Sequence, residues 1–162
     1  MAVTMISSVL TASFKGPTIM VSGGFDPIHV GHIELLRDAS AHGSVIVALN
    51  SDRWLRRKKK YCFMPWADRH TVLLAMRWVS AVVEVDDEDS TVRSALHQYN
   101  PTFFGNGGDR SAENTPEMYV CEQLGIECVW DLGGVKTRGS TPTFENAVRE
   151  LYGDDALKEL FG

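Results

Sequence analysis

Gly23-Gly24-Phe25-Asp26-Pro27-Ile28-His29-Val30-Gly31-His32 is the stretch whose reading decides this chain. An apolar run, Thr18 to Ser22, leads into it, and an amphipathic stretch, Ile33 to Ala41, leads out. The segment is therefore a strand-to-helix turn near the N-terminus. Gly23 and Gly24 make a tight, unhindered turn, and Gly31 lets a ligand approach the backbone. His29 and His32 stand three apart at the helix start, so their rings can face the same side. Imidazoles beside free backbone N–H groups at a helix start form a phosphate site. The glycines are not spaced G-x-G-x-x-G, so this is not the dinucleotide fingerprint. No cysteine lies near enough in sequence to suggest zinc.

Outward from this turn the pattern alternates strand and helix. Ile19–Ser22 reads as the first strand and Val30–His42 as the first helix, which Gly43 ends. Val45–Leu49 is a continuous apolar run, as expected of a strand covered on both faces. A basic connection follows, from Arg53 through Arg56-Arg57-Lys58-Lys59-Lys60. Then come a helix over Trp66–Trp78, a strand over Ala81–Val85, an acidic solvated loop at 86–89 and a helix over Thr91–Tyr99. A short central strand, Thr102–Phe104, opens into the loop Gly105 to Arg110. A helix from Thr115 to Leu124, a strand Ile126–Trp130, a loop from Gly133 and a terminal helix Thr143–Leu151 complete the reading. The predicted fold is α/β, a Rossmann-like parallel five-stranded sheet with helices on both faces. Four polar clusters then fall at the carboxyl ends of strands, where such sheets bind ligands. They are Asp26 to His32, Asn50 to Asp52, Gly105 to Arg110 and Lys136 to Thr141.

Composition sets the outer bounds. The chain has 162 residues, enough for one substantial core, with 44% apolar and 23% charged residues and a formal net charge of −5. That charge argues against a general nucleic-acid binder. No apolar run reaches membrane-span length, and the N-terminus lacks a signal-peptide pattern. Three sparse cysteines with no C-x-x-C pair suggest a reduced cytoplasmic protein. Residues 1–16 read as a flexible or weakly packed lead-in, with an edge strand over Val3–Leu10 as the alternative; residues 17–162 read as a single domain.

The decisive segment resembles the G-x-F-D-x-x-H-x-G-H signature of the cytidylyltransferase-like nucleotidyltransferases, and the resemblance extends over about residues 18–150. It implies a Rossmann-type fold of the HxGH kind and transfer of a nucleotidyl group from an NTP to a phosphorylated acceptor. The Asp-Pro pair is similar to the adenylyl-transferring branch. The remaining layout looks more like glycerol-3-phosphate cytidylyltransferase and the nucleotidyltransferase domain of ADP-heptose synthase. Asn50-Ser51-Asp52, Asp68-Arg69, Gly107-Gly108-Asp109 and Gly139-Ser140-Thr141 resemble further elements of those enzymes. Three positions depart from the pattern: Asn106 stands in place of a Lys, Arg110 in place of an aromatic, and Pro142 interrupts the S-T-T run.

Site expectations follow from both sources. His29 and His32 stabilise charge on the α-phosphate, helped by Lys60 and Arg138 on the departing pyrophosphate. Gly23, Gly24, Phe25, Asp26, Gly31, Lys58, Gly107, Asp109, Gly139, Ser140 and Thr141 form the nucleotide site. Asp26 either orients the loop or a metal-bound water, or simply accepts turn N–H groups. Asp52, Trp66, Arg69 and Arg110 form the acceptor side. Mg²⁺ bridges the phosphates with few protein ligands. The expected reaction moves CMP or AMP from CTP or ATP to a small phosphorylated alcohol or sugar. The alternatives are adenylyl transfer to nicotinate mononucleotide or phosphopantetheine, and a non-catalytic nucleotide-binding or regulatory protein. The resemblance also implies a homodimer.

Overall fold

Thr18–Gly23 forms β1, a strand buried along most of its length at the middle of the molecule. The computed structural model describes residues 14–108, 110–134 and 139–161. The remaining elements, in chain order, are α1 (Val30–Ser40), β2 (Ser44–Leu49), α2 (Asp52–Lys59), α3 (Trp66–Leu74), β3 (Val79–Glu84), α4 (Arg93–Tyr99) and β4 (Phe103–Gly107), then a 3₁₀ turn (Ala112–Asn114), α5 (Met118–Leu124), β5 (Glu127–Leu132), α6 (Ser140–Tyr152) and α7 (Asp154–Phe161). The five strands lie in the order β3-β2-β1-β4-β5, and every pairing is parallel. This is the Rossmann-like α/β sheet that the alternating pattern predicts. The strand order reverses between β1 and β4, so the crevice beyond their carboxyl ends is the topological switch point. The lead-in expected at residues 1–16 lies outside the described residues through residue 13.

The strands are apolar on both faces because helices cover both. Ile19, Val21, Val45, Val47 and Leu49 point to one layer, where Leu36 and Ala39 of α1 and Leu73 of α3 meet them. Met20, Ile46, Ala48 and Phe104 point to the other, against Ala95 and Leu96 of α4 and Val120 and Cys121 of α5. Cys62, Cys121 and Cys128 are free thiols, and burial pushes Cys121 up to about 12.

Three elements differ from the sequence reading in ways that matter for the site. The basic connection at 53–60 is a helix, α2, capped by Ser51 Oγ accepting from Trp54 N–H at 3.0 Å. The strand expected at Thr102–Phe104 runs on through Gly107, where β4 pairs with β5. Glycine is required inside it: a Cβ on Gly105 would lie 2.6 Å from Leu132 Cδ1 and 2.9 Å from Val21 Cγ1. The acidic run 86–89 is not wholly solvated, because Asp87 is 4% exposed and tied to the end of β2.

Candidate active site

The carboxyl ends of β1 and β4 open into a cleft of about 850 Å³. His29 and His32 line it. His29 is the N-cap of α1, and its Nδ1 accepts from the Gly31 N–H at 3.2 Å. His32 Nδ1 accepts from the His29 N–H, also at 3.2 Å. This is a reciprocal capping box built from two imidazoles. A ring nitrogen that accepts a backbone N–H is unprotonated, so each neutral ring carries its hydrogen on Nε2. The rings stack at 3.8 Å between centroids, and Phe25 lies 4.8 Å from His32. The cap thus does two jobs: it satisfies helix-end donors and fixes both tautomers as Nε2–H donors.

The cationic wall comes from α2. Arg53 and Arg57, one turn apart, face the acidic loop: Arg53 pairs with Glu88, and Arg57 Nη2 donates to the Asp87 carbonyl at 2.6 Å. Lys58, Lys59 and Lys60 face the cleft instead. Lys58 Nζ lies 4.5 Å from the centre of the Trp54 ring, Lys59 Nζ donates to the Asp26 carbonyl at 3.1 Å, and Lys60 ends the helix in the left-handed conformation. Leu55 anchors α2 directly on the glycine turn; a Cβ on Gly24 would come within 2.5 Å of Leu55 Cδ2. The third wall is the start of α6, where Gly139, Thr141 and Pro142 line the cleft. Its first-turn N–H groups have no helical partner and suit an anion. Pro142 carries no N–H there, so the helix offers one donor fewer. Stacking of Phe144 on Tyr61 at 4.5 Å joins this helix to the segment after α2.

Not every other expected residue lines the cleft. Gly23, Gly24, Gly31, Gly107 and Arg110 line the cleft. Asp26 does not: it is fully buried, and its two oxygens accept from Phe63 N–H and Met64 N–H, each at 2.7 Å. Its carboxylate thus ties the β1–α1 turn to the segment after α2 rather than to N–H groups of its own turn. Asp26→Ala is accordingly expected to destabilise the fold by about 1–3 kcal/mol, since it removes a buried carboxylate that accepts from two part-buried backbone donors. A urea titration checks this; a change under about 0.5 kcal/mol contradicts it.

Arg69 and Trp66 lie beneath the cleft, not in its lining. The Arg69 side chain is fully buried, donating from Nε to Met64 O at 2.9 Å and from Nη1 to Gly24 O at 2.8 Å and Asn50 O at 2.9 Å. Its Nη2 donates to Asp52 Oδ1 at 2.6 Å. Arg69 and Asp52 therefore brace the ends of β1 and β2 from below. The Trp66 indole donates to Leu49 O at 3.3 Å, which also makes it a support. Asp109, Lys136 and Arg138 lie outside the described residues, as does the side chain of Ser140. The cleft also contains residues that the sequence reading did not nominate: Glu34, Asn50, Lys59, Glu117 and Glu145. Of these, Asn50 and Lys59 stand within stretches singled out from the sequence, the Asn50 to Asp52 cluster and the basic run.

A parallel sheet with a glycine turn, paired imidazoles and a lysine wall at its switch point is an α/β architecture suited to holding phosphate groups. The cytidylyltransferase-like family matches residues 20–124, and the chain belongs to that family of nucleotidyltransferases. The bifunctional protein HldE of Geobacter metallireducens is 32% identical over 142 residues, covering 85% of this chain and 28% of its own length. HldE of Streptomyces coelicolor is 37% identical over 116 residues, covering 69% of this chain and 25% of its own length. This chain thus spans about a quarter of those relatives. The D-beta-D-heptose 1-phosphate adenylyltransferase of Bordetella bronchiseptica is 27% identical, covering 77% of this chain and 78% of its own. The lipopolysaccharide core biosynthesis protein of Thermoplasma volcanium shares the fold at a TM-score of 0.59 and 20% identity, covering 71% of this chain and 93% of its own. No helix among the described residues is long and apolar enough to cross a membrane.

Proposed function

We propose that this protein transfers a nucleotidyl group, AMP from ATP in the first instance, to a sugar 1-phosphate and releases pyrophosphate. The observation that carries this is the imidazole capping box, with two Nε2–H donors fixed at the mouth of a lysine-walled cleft. The name of the Bordetella relative supports a sugar phosphate as acceptor and adenylyl as the group moved. An acceptor phosphate oxygen attacks the α-phosphorus, the bond to the β-phosphate oxygen breaks, and pyrophosphate leaves. The phosphate dianion is already nucleophilic, so no side chain needs to act as base. The chain supplies position and charge. His29 and His32 donate to the α-phosphate oxygens as negative charge grows there. Lys58, Lys60 and the first turn of α6 hold the departing pyrophosphate. Mg²⁺ belongs to this reading as an ion held through the phosphates.

The test is pyrophosphate release with Mg²⁺ from ATP, CTP, GTP or UTP. Each is paired with sugar 1-phosphates, glycerol 3-phosphate, nicotinate mononucleotide and phosphopantetheine. Release with ATP and a sugar 1-phosphate is expected. Release confined to CTP with glycerol 3-phosphate, or to another acceptor, overturns the substrate assignment. Nucleotide binding without release from any pair favours the non-catalytic reading.

A further inference from the structure

Asn50 closes β2 at the cleft and is 4% exposed. Three of its four hydrogen-bonding groups are committed. Its N–H donates to Gly23 O at 3.0 Å, and its carbonyl accepts from Arg69 Nη1 at 2.9 Å. Its Nδ2 donates to Asp87 Oδ2 at 3.1 Å. A carboxylate only accepts, so Asp87 dictates which end of the amide faces it. Oδ1 is therefore the end left over, and no described residue donates to it. Asp87 is itself held in place: Oδ2 also accepts from Ser51 N–H at 2.7 Å, and Oδ1 accepts from Ser51 Oγ at 2.8 Å. The Asn50 side chain and the cap of the lysine helix thus hang on one buried carboxylate.

We propose that Asn50 Oδ1 accepts a hydroxyl of the sugar phosphate, and that Asp87 is the positioning residue that turns this oxygen toward the cleft. The proposal rests on the function argued above. Phosphate oxygens cannot be the partner, because they offer acceptors and Oδ1 needs a donor. The donors available are a hydroxyl of the sugar phosphate and, on the nucleotide, a ribose hydroxyl or a base amine. Asn50 lies on the β2 side of β1, whereas Gly107, expected in the nucleotide site, ends β4 on the opposite side. The position therefore favours the acceptor's hydroxyl.

The experiment is a double-mutant cycle on the KM for the sugar phosphate, run beside the KM for the nucleotide. Asn50→Ala and Asp87→Ala are each expected to raise the sugar-phosphate KM about tenfold, and the pair together no more than either alone, because both remove one interaction. Asp87→Asn keeps an oxygen for Asn50 Nδ2 and is expected to hold that KM within about threefold of wild type. Additive effects in the cycle overturn the positioning role. A rise confined to the nucleotide KM overturns the sugar-phosphate assignment in favour of a donor on the nucleotide. Wild-type turnover with an unchanged sugar-phosphate KM in both alanine variants overturns this inference and leaves the proposed function standing. A wild-type protein that transfers to no sugar phosphate overturns both.

Discussion

Turnover falls about 10²-fold or more when His32 is replaced by Gln or His29 by Asn, while the fold persists. The choice of substitute follows from the capping box. His29 is an N-cap and His32 the third residue of the same helix, each accepting a backbone N–H through Nδ1. Asn is a favoured N-cap and Gln a favoured partner at the third position, so both variants keep an acceptor where the cap needs one. What they lose is the Nε2–H fixed toward the phosphate. Kinetic loss and structural loss are thereby separated. Unfolding free energy is expected to stay within about 1 kcal/mol of wild type. Alanine at either position would confound the two, because it also removes the cap. Turnover within a few-fold of wild type in both variants would contradict the role given to the histidines.

Arg69→Met is expected to cost about 3–5 kcal/mol of stability. The guanidinium is fully buried and makes hydrogen bonds to Met64, Gly24 and Asn50 carbonyls and to Asp52. Methionine fills much of the space but leaves four acceptors without that donor. Lysine would keep the charge but cannot reproduce a planar fork of donors. A total stability of about 5–15 kcal/mol is typical of domains, so this loss removes a large share. Urea unfolding measures it, and a change below about 1 kcal/mol would contradict the bracing role. Activity should fall with the fold here, unlike in the histidine variants, because Gly24 and Asn50 both stand at the cleft.

The contrast between these positions shows what a sequence reveals. The β1–α1 turn was legible because its signals are local: an apolar run, glycines and two histidines within ten residues. The parallel sheet was legible because buried strands read as apolar runs. Helix α2 was read as a loop because a run of like charges repels in an isolated helix. What stabilises it lies far along the chain: the acidic loop pairs Arg53 and Arg57, and Gly24 receives Leu55. Asp87 looked solvated for the same reason, since its partners Asn50 and Ser51 belong to another strand end. Arg69 stood out as an acceptor-side residue, whereas the structure buries it beneath the cleft and pairs it with Asp52, seventeen residues back along the chain. Glycine and asparagine in Gly105-Asn106-Gly107 read as loop; they are strand because Leu132, Val21 and Ile19 leave no room for a side chain at 105. The fold's periodic parts were therefore readable, and the parts made by pairs distant in sequence were not.

The most direct test of the account follows one phosphorus atom. The protein is incubated with Mg²⁺, a sugar 1-phosphate and ATP labelled either at the α- or at the γ-phosphate. The account expects α-label to appear in a nucleoside diphosphate sugar and γ-label to leave as pyrophosphate, with both lost in the His32→Gln variant. Label that stays in bound ATP, or γ-label that moves to the sugar, would contradict nucleotidyl transfer at this cleft.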